Sequence, residues 1–363
     1  MLLDERLPES HGHAIAARFF LVIFALGAVC LHIGRAQEAT EAEQRVVAFE
    51  RDYRELNTLL VGMERAHGVL YGALAQGRGR VNESETYGRM TRATAAGARN
   101  SQPDPEAEAG YAALGARGAA VIRRTQAFHR EALAILSTVA APGKKQALDA
   151  AVDRYLSRPE ASLPDVPKDM TILYDHPYSS IVIGLPGAPP KKTPKLKGFV
   201  WASHWFQLAA AEPLELAADL DARRRGLKVV TDRFHQKLSS GKPPNAFPTE
   251  LPLAPSIAPE LVTTHLRTAA ILDNLHMMQA VLADVFVHPQ VEDLRAALDQ
   301  VIAQFTDRTY RVADEDDWIR MALRHSIFEQ GGPALGVMTA SDRNGSGHLQ
   351  HVGSGRSNMP GMK

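Results

Sequence analysis

The sequence predicts an all-α protein: an N-terminal membrane segment, a long helical hairpin of coiled-coil character, a proline-rich connector and a second helical domain. Three observations lead there. Apolar residues recur at steps of three and four over long stretches, the spacing that lines one face of a helix. Prolines gather in 159–198 and 243–255, where continuous helix is excluded. The run FFLVIFALGAVCLHIG, Phe19 to Gly34, is apolar apart from His32.

Residues 1–36 read as a membrane anchor or signal peptide. With Ala14–Ala17 added, the apolar stretch covers 14–34, interrupted by Arg18, and lies between a secretory core of about 7–15 residues and a span of about 20. Gly34 and Ala36 are small residues suited to cleavage after Ala36, whereas Asp4, Glu5 and Glu9 depart from a basic leader. The expected location is the inner membrane, single-pass with the body in the periplasm, or secretion to the periplasm. Cys30 lies within the apolar run and reads as a small hydrophobe, so the downstream body has no thiol.

Residues 37–158 read as an elongated hairpin. Its first helix carries a seam at Val46, Phe49, Tyr53, Leu56, Leu60, Met63, Leu70 and Leu74, with His67 in the one place left over. A polar residue there sets register, and the alternative is a titrating or ligand-binding imidazole. The stretch 77–84, GRGRVNES, breaks the helix. A weaker seam follows at Leu114, Gly118, Val121, Thr125, Phe128, Ala132, Ile135 and Val139, and then a short helix over 144–156.

Residues 159–198 hold eight prolines, a β-like stretch at Ser180–Ile183 and a basic cluster of Lys191, Lys192, Lys195 and Lys197. They read as an irregular, solvated connector. The second helical domain, 199–330, comprises 199–238 interrupted at Pro213, then 259–288, 291–305 and 318–330. Trp201, Trp205 and Phe206 flank His204 and read as packing aromatics. Pro259 suits a first helical position, and the acidic run 314–317 suits a helix start. The tail 331–363 is rich in Gly and Ser and reads as disordered.

Composition bounds the function. The 363 residues include 41 basic and 41 acidic side chains, a balance that argues against a nucleic-acid coat or an anionic-surface binder. One cysteine excludes disulfide frameworks and multi-cysteine metal cages. The common phosphate-loop, dinucleotide, zinc-protease and nucleophile-elbow motifs are missing.

Two groups of residues have metal-ligating chemistry. On the helix 259–288, Asp273, His276, Asp284 and His288 fall within a sector of about 120°, opposite Leu272, Leu275, Leu282 and Phe286. The helical rise sets the Asp273/His276 and Asp284/His288 pairs about 17 Å apart, so they cannot share one ion. Each pair can supply two ligands, and the ordinary expectation for this sector is a solvated face. In the tail, His348 and His351 precede Met359 and Met362, imidazoles and thioethers suited to copper, above all Cu(I).

The leading expectation is a non-enzymatic membrane-anchored or exported accessory, scaffold or sensor-like protein. Its helical seams would bind a protein partner or a second copy, and no nucleic acid. The alternative is a periplasmic copper-binding protein using the tail or the helix-borne His/Asp pairs. A third is an enzyme collecting His204, His265, His276 or His325 in one pocket.

Overall fold

The structure of the chain, a computed structural model, describes residues 41–77, 81–97, 103–174, 177, 194–239, 251–325 and 334–335. The apolar run 19–34, the β-like stretch 180–183, Lys191, Lys192 and the tail residues His348, His351, Met359 and Met362 lie outside them. Met1–Val47 forms one unit, of which residues 41–47 are described and helical, with Arg45 donating to Glu41 one turn back (3.0 Å). Ala48–Lys363 forms the other unit.

Within the second unit the described residues are helical and contain no strand, only an isolated antiparallel bridge between Lys168 and Val312. The first seam becomes α1, Arg54–Gly77. Two helices that apolar spacing does not announce follow, α2 (Glu83–Ala96) and α3 (Pro105–Ala113). Each begins where a side chain accepts from the otherwise unpaired amides of a first turn. Asn82 accepts from Glu85 N–H (3.2 Å), and Asp104 accepts from Glu106 N–H (2.9 Å) and Ala107 N–H (3.3 Å). The second seam becomes α4 (Gly115–Thr138), and α5 (Ala141–Leu156) starts with Pro142 in its first turn, where a missing N–H costs nothing.

The described parts of the connector, 159–174, 177 and 194–198, include helix. They hold a short α6 (Thr171–Tyr174), and α7 (Pro194–Ala209) begins among them with a proline in the leading position. Lys197 is therefore a buried helical residue and not part of a solvated cluster. Then come α8 (Ala211–Leu216) and α9 (Leu220–Ser239). The predicted helix 259–288 is split. After α10 (Ala254–Ile257), α11 (Pro259–Thr264) stops at His265, whose non-helical backbone (φ −140°, ψ 52°) separates it from α12 (Leu266–Val287). Two further helices close the described core, α13 (Leu294–Thr306), capped by Asp293 on Ala296 N–H (2.9 Å), and α14 (Glu315–His325), capped by Asp314 on Asp317 N–H (2.8 Å).

The core is built around α12. Every residue from Thr268 to Phe286 is buried, because α1, α4, α5, α7, α10, α11 and α13 pack around it. Among the described residues it is the one helix long and apolar enough to cross a bilayer, but 94% of that window is already covered by protein. Its apolar character is that of a central helix. The expectation of a solvated His/Asp sector is overturned here: Asp273, His276 and Asp284 are all buried. A polar stripe predicts exposure only when nothing is packed on it.

The seams are consumed in the same core. Phe49, Tyr53, Leu56, Leu60, Met63, Leu70 and Leu74, with Leu114, Val121, Phe128 and Ile135, are all buried. The main partners of α1 are α2 and α3. Close approach to α3 depends on Gly68 and Gly72 facing Gly110, where a Cβ on Gly110 would land on the Gly68 carbonyl. Arg130 of α4 pairs with Glu64 of α1, and Tyr71 of α1 stacks on Phe286 of α12 (centroids 6.1 Å) and donates to Gln279 O (3.3 Å).

Candidate functional site: a buried histidine cluster

Four imidazoles from four helices meet in this core: His67 (α1), His129 (α4), His204 (α7) and His276 (α12), none more than 1% exposed. His67 and His204 approach through their Nε2 atoms at 3.1 Å. Their rings are nearly parallel (7°, centroids 5.1 Å), and His276 stacks on His204 (12°, centroids 4.4 Å). His129 lies near enough that its charge would disfavour charging His276.

The local structure settles how two of these rings are held. His67 Nδ1 sits 2.8 Å from the Met63 carbonyl one turn back. A carbonyl only accepts, so Nδ1 carries the proton and the Nε2 lone pair points at His204. His129 Nε2 is 3.2 Å from the Gln207 carbonyl, one of the last carbonyls of α7 and hence without an intrahelical partner. His129 therefore closes the end of α7.

Burial keeps all four rings neutral at ordinary pH. It brings His67 and His129 down to about 4 and holds His204 and His276 well below the usual imidazole range, these two also disfavoured by the neighbouring imidazoles. A neutral imidazole is the form that binds a metal.

Satisfaction of polar groups separates this cluster from the rest of α12. Asp273 accepts from Ala254 N–H with both oxygens (2.9 and 3.0 Å) and from Trp318 Nε1–H (3.1 Å). Asn274 donates to Pro164 O and Val166 O (both 2.9 Å) and accepts from Lys168 N–H (3.0 Å). His276 makes no such bonds: neither ring nitrogen has a hydrogen-bond partner among the described residues. The same holds for His204 Nδ1, Gln279 Oε1, Ser203 Oγ and Gln207 Oε1. Gln279 stands beside the His204 ring and favours a proton on it, without completing a hydrogen bond of normal geometry. Six unpaired polar atoms thus gather on two adjoining helix faces, where burial without a partner costs about 1–3 kcal/mol each.

Of the residues singled out from sequence, His67, His204 and His276 belong to this cluster. Asp284 is buried two turns further along α12, about 12 Å away by helical rise. His288 caps the end of α12 and accepts from Gln290 N–H through Nδ1 (3.2 Å). His265 is not gathered in: it faces Glu215 Oε2 at 3.4 Å. The aromatic flank of His204 is packing, as expected, with Lys237 over Trp205 (4.4 Å) and Trp201 (5.4 Å). His129 is the member that sequence reasoning did not single out, and the joining of His67 to His204 is the step it did not make. His67 and His204 are 137 positions apart, and no local motif links them.

Among the described residues no three His, Cys, Asp or Glu side chains already converge on one metal position. The His67/His204 pair comes nearest, and closure by His276 requires its ring to turn. Comparison with known proteins assigns no family: no family model, curated protein or solved structure matches the chain. Fold and site define an all-α protein with a buried, neutral, incompletely bonded histidine cluster.

Proposed function

We propose that this chain is a transition-metal-binding helical protein whose ion sits between His67 and His204, with His276 as third ligand. The observation that carries the reading is the 3.1 Å approach of two Nε2 atoms, one of which presents its lone pair to the other. With metal–nitrogen bonds of about 2.0–2.1 Å, two imidazoles on one tetrahedral ion stand about 3.3 Å apart. A proton on His204 Nδ1, facing Gln279 Oε1, would leave both Nε2 lone pairs pointing at each other, which a cation between them resolves. The Met63 carbonyl and Gln279 then act as the outer hydrogen-bond partners that orient ligating histidines.

Export or membrane tethering through residues 14–34 remains part of the reading on sequence grounds, as does copper capture by the tail. Binding of a partner through the helical seams has less support, since the described seam side chains from Phe49 onward are packed inside.

The test is thermal unfolding of the full chain, stripped with chelator, with and without Zn²⁺, Co²⁺ or Cu(I). At 100 times Kd an ion bound only to the folded state stabilises by about 2.7 kcal/mol. At least one ion should raise Tm in the native chain and leave His204→Leu unmoved. No shift with any ion, or equal shifts in both proteins, rejects the site.

A further inference from the structure

We propose that α8 is a latch across α11, closed by a neutral carboxyl at Glu212 and opened when that carboxyl ionises. The six-residue α8 carries two acids one turn apart, and each reaches one end of α11. Glu212 accepts from Glu260 N–H through Oε1 (3.2 Å) and from Leu261 N–H through Oε2 (3.4 Å), at the start of α11. Glu215 Oε2 faces His265 Nε2 (3.4 Å) at the other end, where α11 stops before α12. Glu212, His265 and the lysine that joins them, Lys144 of α5, are all buried.

The charges around α8 favour a neutral Glu212. Lys144 has three N–H donors and three acceptors, Leu214 O (2.9 Å), Glu215 O (3.2 Å) and Glu215 Oε2 (3.2 Å). Its charge is matched by Glu215, so an ionised Glu212 would be a second carboxylate beside one cation. Glu215 and the Glu260 carboxyl of α11 both oppose a charge there. Arg223 of α9 donates to the carbonyls of Ser137 and Ala217. On α4 and α7, which also pack on α8, Arg130 and Glu131 are paired with Glu64 and Arg154, and His129 and His204 are neutral.

Opening of α8 from α11 would place Glu212 in water, where a carboxyl of this type ionises at 4.5, whereas burial holds it at about 8 in the closed form. Between these values the closed form carries one proton more than the open form, so each pH unit raises the opening equilibrium about tenfold. The whole interval amounts to roughly 3000-fold. Above about pH 8 both forms are ionised and the dependence stops. The open form would uncover Leu214, Leu261 and Val262, which the closed latch buries.

The experiment is hydrogen exchange of the full chain in chelator, read by mass spectrometry from about pH 5 to 9. Each rate is divided by that of an unstructured peptide of the same sequence at the same pH, which gives an opening constant. Native α8 and α11 should open more readily than α12 throughout. Their constant should rise about tenfold per pH unit up to about pH 8 and then level. In Glu212→Gln it should stay level across the whole range.

Opening constants of α8 and α11 equal to that of α12 would mean that they part only when the core unfolds, and would overturn the latch. A native constant independent of pH, or a slope retained in Glu212→Gln, overturns Glu212 as its catch. Should Glu212→Gln lose helix content by circular dichroism, the comparison with α12 and the native pH slope, both made on the unaltered chain, still decide.

Discussion

Replacing His276 by leucine should make the metal-free protein more stable while abolishing its metal response. Both ring nitrogens are buried without a partner among the described residues. An unsatisfied buried polar group costs about 1–3 kcal/mol, and leucine of nearly the same volume removes both such groups without opening a cavity. Against this stands the lost stack on His204, at centroids of 4.4 Å, worth about 0.5–1.5 kcal/mol. Two such groups cost about 2–6 kcal/mol together, so the balance after the lost stack is a gain of about 0.5–5.5 kcal/mol. The assay is urea unfolding of the chelator-treated full chain, followed by circular dichroism. The midpoint should rise with an unchanged slope, since the surface exposed on unfolding is the same. Addition of whichever of Zn²⁺, Co²⁺ or Cu(I) raises Tm should then stabilise the native chain and not the variant. A destabilisation of 1 kcal/mol or more in chelator would refute the reasoning, because it would make His276 a structural residue already satisfied by its surroundings.

Three further outcomes follow from the same packing. Gly110→Ala places a Cβ on the Gly68 backbone, which cannot yield as a side-chain tip can, so a loss of about 3 kcal/mol in urea unfolding is expected. Glu212 is buried and accepts from Glu260 N–H (3.2 Å) and Leu261 N–H (3.4 Å), and burial, with Glu260 and Glu215 nearby, pushes its carboxyl from 4.5 up to about 8. The folded state therefore holds this proton where the unfolded chain has lost it. Its contribution is complete below about pH 4.5 and disappears as pH rises through about 8, up to about 5 kcal/mol. Glu212→Gln should flatten the fall of Tm with pH across that window, and an unaltered profile would remove Glu212 as its source. Gln279→Leu should weaken the ion by about 10–100-fold at little cost in stability, with recovery in Gln279→Glu, as measured by competition with a chelator for whichever ion raises Tm.

Much of the helical layout is written in short-range signals. The seams at Leu56–Leu74 and Leu114–Ile135 mark α1 and α4, and Pro259 and Asp314 mark the starts of α11 and α14. The caps of α2 and α3 were equally visible as Asn82 with Glu85 three residues on, and as Asp104–Pro105. They are easily passed over because α2 is rich in charge and α3 is short, so neither shows a strong apolar stripe. The break at His265 has no such signal. It follows from where α11 and α12 must each lie, with His265 facing Glu215.

The site divides along the same line. From the sequence alone come the helical class, the cysteine-free body and the presence of imidazoles on several helices, because composition and 3.6-residue periodicity are properties of a segment by itself. Only the tertiary structure decided that the polar sector of α12 faces inward and that His67, His204 and His276 share one place. Burial is conferred by whatever packs against a helix. The pattern of α12 records that it has a polar stripe, while α1, α4 and α7, contributed by distant parts of the chain, determine what that stripe meets.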